Sequence, residues 1–284
     1  MKQSPSTQKI LHAVTSGIIV LAALLHIVAM LVDYEPTTQY FRPGAWLPTA
    51  ALGCAVMAGI LGTVGILCTF PKKFEGTLFV HRNRFNPSTV GFALMALFLL
   101  ESPVRSFRTP AVIFLFLAAV YTFLCGLPKL RQYKDGLVIL GFAPILACAS
   151  LVAYYYFDMS VEMNTPVKIA LQIGLAMVMF CYTGELRFLL GRAMPRAYLI
   201  LHTWAHAIGA LSAVSVPIAF LCNKFERADY AAGAILIFSI VLTPHRQVRR
   251  LRRGTEQINE AAEQSEAEPA VTNESIDESR TDEQ

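Results

Sequence analysis

Four of the six histidines fall inside long apolar runs: His12, His26, His202 and His206. An ionisable side chain is costly in a membrane interior, so each marks a place where chemistry is expected. The segment HTWAH, residues 202–206, sets two imidazoles four apart and therefore on one face of a helix. That face continues through Ala205, Gly209 and Ala213, small residues that let a second helix approach closely. The two imidazoles are expected to point into a helix bundle. In the preceding run, Tyr182 and Glu185 are three apart and share a face. At 1.5 Å per residue, His202 stands roughly 9 Å and His206 roughly 15 Å in from the cytoplasmic side, with His12 within roughly 5 Å of that side. Glu185 lies about 27 Å down a run that descends from outside, so it reaches similar depth. The candidate site is thus an intramembrane polar cluster of His12, Tyr182, Glu185, His202 and His206.

Three chemistries fit such a cluster. Imidazole, phenol and carboxyl groups can hydrogen-bond helices together, at about 0.6–2 kcal/mol per bond. They can pass protons or bind a solute inside a transporter. Two imidazoles can also begin a metal or haem site. HTWAH lacks the internal glutamate of the H-E-x-x-H zinc protease motif. His202 and His206 resemble the H-x-x-x-H in a late span of intramembrane zinc hydrolases of the ceramidase-like superfamily. That resemblance implies a zinc site, but it also requires an S-x-x-x-H and an intramembrane aspartate, and the runs supply neither. For a two-haem arrangement, the fourteen-residue spacing of His12 and His26 would need the same spacing on a partner helix, where His202 and His206 are only four apart. His202 and His206 remain the only candidate metal ligands, and no cofactor is expected. There is no Walker A sequence, Rossmann glycine pattern or G-x-S-x-G.

The elements that position these residues follow from composition. The chain has 284 residues, of which 55% are hydrophobic and 15% charged, with mean hydropathy +0.49. An ordinary soluble domain carries about 25% charged residues. A soluble enzyme, a coiled coil and a collagen are excluded, and an all-α, polytopic integral membrane protein is left. A bilayer core needs roughly 20 apolar residues per helix. Eight runs can be marked, at about 9–32, 46–70, 88–104, 110–127, 136–157, 166–190, 196–221 and 228–244. Their continuous apolar character marks them as helices and not barrel strands. The six cysteines form no C-x-x-C pair and read as small buried hydrophobes.

Orientation follows from Lys and Arg in the short loops. Sixteen fall on one side, in the segments 2–9, 72–84, 129–134, 192–196 and 246–253, and six on the other: Arg42, Arg105, Arg108, Lys168, Lys224 and Arg227. Both termini are expected in the cytoplasm of a cell whose plasma or inner membrane holds the protein. Residues 1–253 form the eight-span domain and carry a net charge of +13. Residues 254–284 hold ten acids and one base, and form a tail expected to be disordered and cytoplasmic. The basic inner loops suit anionic lipid headgroups. No basic-aromatic surface for nucleic acid is present. Arg84-Phe-Asn-Pro87 and Arg192-Ala-Met-Pro195 open the third and seventh runs alike, which suggests a parallel 4+4 repeat.

The function expected from this reading is movement of a small solute or ion by a permease-like bundle. One alternative is a non-catalytic membrane scaffold or regulatory subunit. A second is an intramembrane zinc or haem protein using the histidines.

Overall fold

The computed structural model describes residues 5–69, 86–102, 107–127, 134–190, 192 and 194–241. The basic segments 72–84 and 245–253 and the acidic tail lie outside the described residues. In chain order the elements are α1 (Pro5–Val32), β1 (Tyr34–Glu35), β2 (Tyr40–Phe41), α2 (Leu47–Thr69), α3 (Pro87–Glu101) and α4 (Arg108–Cys125). They continue with α5 (Lys134–Leu140), α6 (Ala143–Phe157), α7 (Pro166–Leu189), α8 (Pro195–Leu221) and α9 (Ala228–Val241). Six helical segments are long and apolar enough to cross a membrane, counting Gly136–Phe157 as one, and α3 and α9 are shorter apolar helices. The chain is a helical, multi-pass membrane protein.

Sequence chemistry sets several helix starts. Proline occupies the first turn of α3, α6, α7 and α8, where its missing N–H had no partner to lose. Asn86 caps α3 by accepting from the Ser88 N–H at 3.1 Å. The run 136–157 is not one smooth helix. Pro144 has no N–H to offer the carbonyl four residues back, and the path tightens at Gly141–Phe142 between α5 and α6.

Six helices close a ring in which α3, α4, α6, α7, α8 and α9 are successive neighbours and α9 returns to α3. Inside it lie Phe92, Met95, Leu99, Leu115, Leu151, Tyr154, Tyr155, Leu171, Leu175 and Tyr230, all fully buried. The α1–α2 hairpin packs on the outside of α8. Alanines make that seam close: Ala51, Ala55 and Ala58 of α2 and Ala207 of α8 have no exposed surface. A Cβ on Gly59 would come 2.8 Å from the Trp204 ring, and Trp204 Nε1 donates to Thr63 Oγ1 at 3.1 Å. Thus α8 is the common wall of the ring and the hairpin. The connection of α1 to α2, whose side of the ring is labelled outer and the opposite side inner, contains the only described strands, an antiparallel pair with Tyr34 opposite Phe41 and Glu35 opposite Tyr40.

Candidate functional site

The inner ends of α7 and α8 form the first polar cluster. Glycine at 184 lets the two helices meet: a Cβ there would stand 2.6 Å from Tyr198 Cδ2. With that space open, the Tyr198 hydroxyl donates to Glu185 Oε1 at 3.1 Å. The Tyr198 ring also packs edge-on against His202, with centroids 4.3 Å apart. Tyr198 and His202 are four residues apart on one helical face, as are His202 and His206. Tyr182 is buried and its ring tilts against Phe92 of α3 at 5.9 Å. Tyr121 of α4, Tyr182 and Tyr198 all lie within electrostatic reach of Glu185.

His202 is 3% exposed, and its Nε2 has no hydrogen-bond partner among the described residues. A buried nitrogen left unpaired costs about 1–3 kcal/mol, so a group held at this position for packing alone is expensive. His206 is half-buried one turn further along α8, within electrostatic reach of His202. His12 is exposed on α1, which packs on α2 and α8, so it is not buried with Tyr182 and Glu185. The structure brings Glu185 and His202 together through Tyr198, with Tyr182 buried nearby and His206 one turn along, and places His12 at an exposed position on α1.

His26 serves elsewhere. Its Nδ1 is 2.8 Å from Ser215 Oγ, and Ser215 in turn donates to the Leu211 carbonyl. The single serine proton is used there, so Nδ1 of His26 is the donor. This bond ties α1 to α8 near their outer ends. Among the described residues no group of three or more His, Cys, Asp or Glu side chains is arranged to hold a metal ion, so His202 and His206 lack a third protein donor for zinc.

A second polar cluster, at the outer end of the ring, joins residues that the loop-charge reading treated as surface. Asp158 ends α6, Lys168 lies in the first turn of α7, and Arg227 and Asp229 flank the start of α9. Arg227 Nη2 sits 2.9 Å from Asp158 Oδ2 and 2.7 Å from Asp229 Oδ2. Tyr154 donates to Asp229 Oδ2 at 2.6 Å and lies 2.5 Å from Ser102 Oγ at the end of α3. Tyr230 donates to Asp158 Oδ2 at 3.0 Å, and Tyr155 to the Asp229 carbonyl at 3.0 Å. Ser160 donates to Asp158 Oδ1 through its N–H and its hydroxyl. The Lys168 ammonium, fully buried, donates to the carbonyls of Asp158 and Val161 at 2.6 and 3.0 Å. Two positive and two negative groups are thus gathered together, the ammonium and both carboxylates buried and the guanidinium partly exposed, with hydrogen bonds to compensate.

Burial alone would raise the Asp158 carboxyl, but hydrogen bonds from Ser160 and the charge and hydrogen bonds of Arg227 outweigh it and hold the group below the usual carboxylate value. Burial likewise opposes the charged Arg227, and the hydrogen bonds and charges of Asp229 and Asp158 hold it above its ordinary value. The network is a charge-balanced clamp on α3, α6, α7 and α9. No protein-family model matches the chain, and neither curated proteins nor solved structures give a match.

Proposed function

We propose that the chain crosses the membrane eight times, with α3 and α9 as the short seventh and eighth crossings added to the six long ones, and moves a small solute or ion, protons included, through the ring. The observation that carries this reading is the buried, unpartnered Nε2 of His202 beside the Tyr198–Glu185 pair. A neutral imidazole offers one acceptor and one donor nitrogen, so it can hold a polar solute or hand a proton along hydrogen bonds, which suits a station on such a route. The sixteen-to-six division of basic residues supports cytoplasmic termini in a plasma or inner membrane, with anionic headgroups against the inner loops. A 4+4 repeat is less well supported, since α7 packs on α8 whereas α2 and α3, their counterparts, do not pack along their length among the described residues.

Proteoliposomes with a trapped pH dye test the reading. The wild-type protein is expected to collapse an imposed pH gradient faster than protein-free vesicles, and His202→Gln to return the rate to the protein-free value while eluting as folded protein. Equal rates for wild-type and empty vesicles would overturn it. A second reading, a membrane scaffold, draws support from the alanine seam between α2 and α8, which is packed as a rigid joint. A folded protein without flux would favour that reading.

A further inference from the structure

The outer clamp is asymmetric with the inner end of the ring. At the outer end one guanidinium joins the end of α6 to the start of α9, and Tyr154 extends the link to α3. Lys168 fastens the 158–161 segment to α7. At the inner end hydrogen bonds join α7 to α8 through Glu185 and Tyr198, α3 to α4 through Thr89 and Thr122, and α3 to α7 through Ser88 and Tyr182.

The connection between α1 and α2 lies over the outer network. Tyr34 and Phe41 meet edge-on at 5.9 Å, Tyr34 meets Phe225 at 6.5 Å, and Phe225 meets Tyr230 at 5.5 Å. Gln39 Oε1 accepts from the Glu162 N–H at 3.4 Å. The hub itself is not sunk in the core. The Arg227 side chain keeps 19% exposure and stands in the short connection between α8 and α9, whereas Asp158 keeps 1%. A single guanidinium at the rim therefore bridges the two carboxylates, while the Lys168 ammonium, held on the Asp158 carbonyl, supplies the second positive charge on the α7 side. Helix ends joined through one such ionic hub form a joint that can open like a hinge when the hub is broken.

We propose that Asp158, Arg227 and Asp229, covered by the 34–41 strand pair, form a releasable latch that keeps the outer end of the ring closed. The inference rests on the transport reading for its purpose, though not for its test. When Arg227 leaves the hub, the two carboxylates repel, the 158–161 segment parts from the start of α9, and the outer ends of α6 and α9 separate. Loss of one partner of a buried pair shifts such an equilibrium roughly a hundredfold toward the open form.

The test uses the full chain with Cys54, Cys68, Cys125 and Cys222 changed to serine, and spin labels on Met159→Cys and Leu221→Cys, exposed positions just after α6 and at the end of α8. The wild-type background is expected to give one short distance. Arg227→Gln should add a longer population, Arg227→Lys should keep the short one, and Ser160→Ala should give a smaller shift in the same direction. If Arg227→Gln fails to fold, Ser160→Ala carries the test. Folded variants with the wild-type distance distribution would overturn the latch. The measurement needs no solute, so a latch that opens in a protein showing no proton flux would reject the transport reading and leave the latch standing.

Discussion

Gly184→Ala offers a sharp test of the α7–α8 approach that builds the inner cluster. In a helix interior the change is ordinarily favourable, by about 1 kcal/mol, because alanine has less backbone freedom to lose. At position 184 the new Cβ would lie 2.6 Å from Tyr198 Cδ2 and 3.5 Å from Cε2, so the tyrosine ring must shift. The ring cannot shift freely: its hydroxyl is tied to Glu185 at 3.1 Å, one face meets His202 at 4.3 Å, and Phe188 meets it at 5.1 Å. Overpacking of this sort costs about 1–3 kcal/mol. Losing the Tyr198–Glu185 bond adds about 1 kcal/mol. The net expectation is destabilisation by about 1–3 kcal/mol, roughly 2–12 °C in melting temperature for a chain of this size. Gly53→Ala is the control, since a Cβ there meets nothing within 4 Å and should leave stability equal or higher. Thermal unfolding in one detergent, followed by tryptophan fluorescence, reads both. Tyr198→Leu should remove most of the Gly184→Ala penalty in a double-mutant cycle. A Gly184→Ala protein at least as stable as wild type would refute the close approach and with it the geometry of the cluster.

Other consequences follow from the outer network and the topology. Arg227→Gln should lower stability by about 3 kcal/mol, the low end for a buried pair because the guanidinium is partly exposed, and adding Asp229→Asn should recover part of the loss in the same unfolding assay. Because the Asp158 carboxyl is held below its ordinary value, its contribution is complete above that value and fades as pH falls through the lowered one. Melting temperature should therefore hold from neutral pH down to about 4 and fall below it, with Asp158→Asn flattening the fall. A single cysteine placed in the 72–84 segment should resist an impermeant thiol reagent added outside intact cells, and labelling there would reject the proposed orientation.

How much of this was legible in the sequence depends on whether the signal was local. The helical class and the proline starts are local properties; the class carries through to α1–α9, and the apolar lengths carry through in six segments, with α3 and α9 shorter. The break at Gly141–Phe142 was also legible, since Pro144 alone requires a departure from regular geometry. The pairing of α7 with α8 follows from the short 190–194 connection, and Tyr198 could have been found by the spacing of four that links it to His202. The outer network was hidden for a different reason. Counting basic residues by side places Lys168 and Arg227 in water, because a positive charge at the end of an apolar run is usually a loop charge. Asp158 and Arg227 are 69 positions apart, so only the closure of the ring brings them within 2.9 Å. For His12, depth along a helix can be counted from sequence, whereas the face it presents depends on which neighbours α1 finds.

The central claim is that His202 stands on a route reached from the cytoplasmic side. The most direct measurement is the reactivity of His202→Cys, in a chain with the six native cysteines changed to serine or alanine, toward a small charged thiol reagent in vesicles of each orientation. Modification is expected when the cytoplasmic face is exposed to reagent, and protection from the opposite face while Arg227 is intact. A cysteine at this position that stays unreactive from the cytoplasmic face, in protein that unfolds at the wild-type temperature, would contradict it.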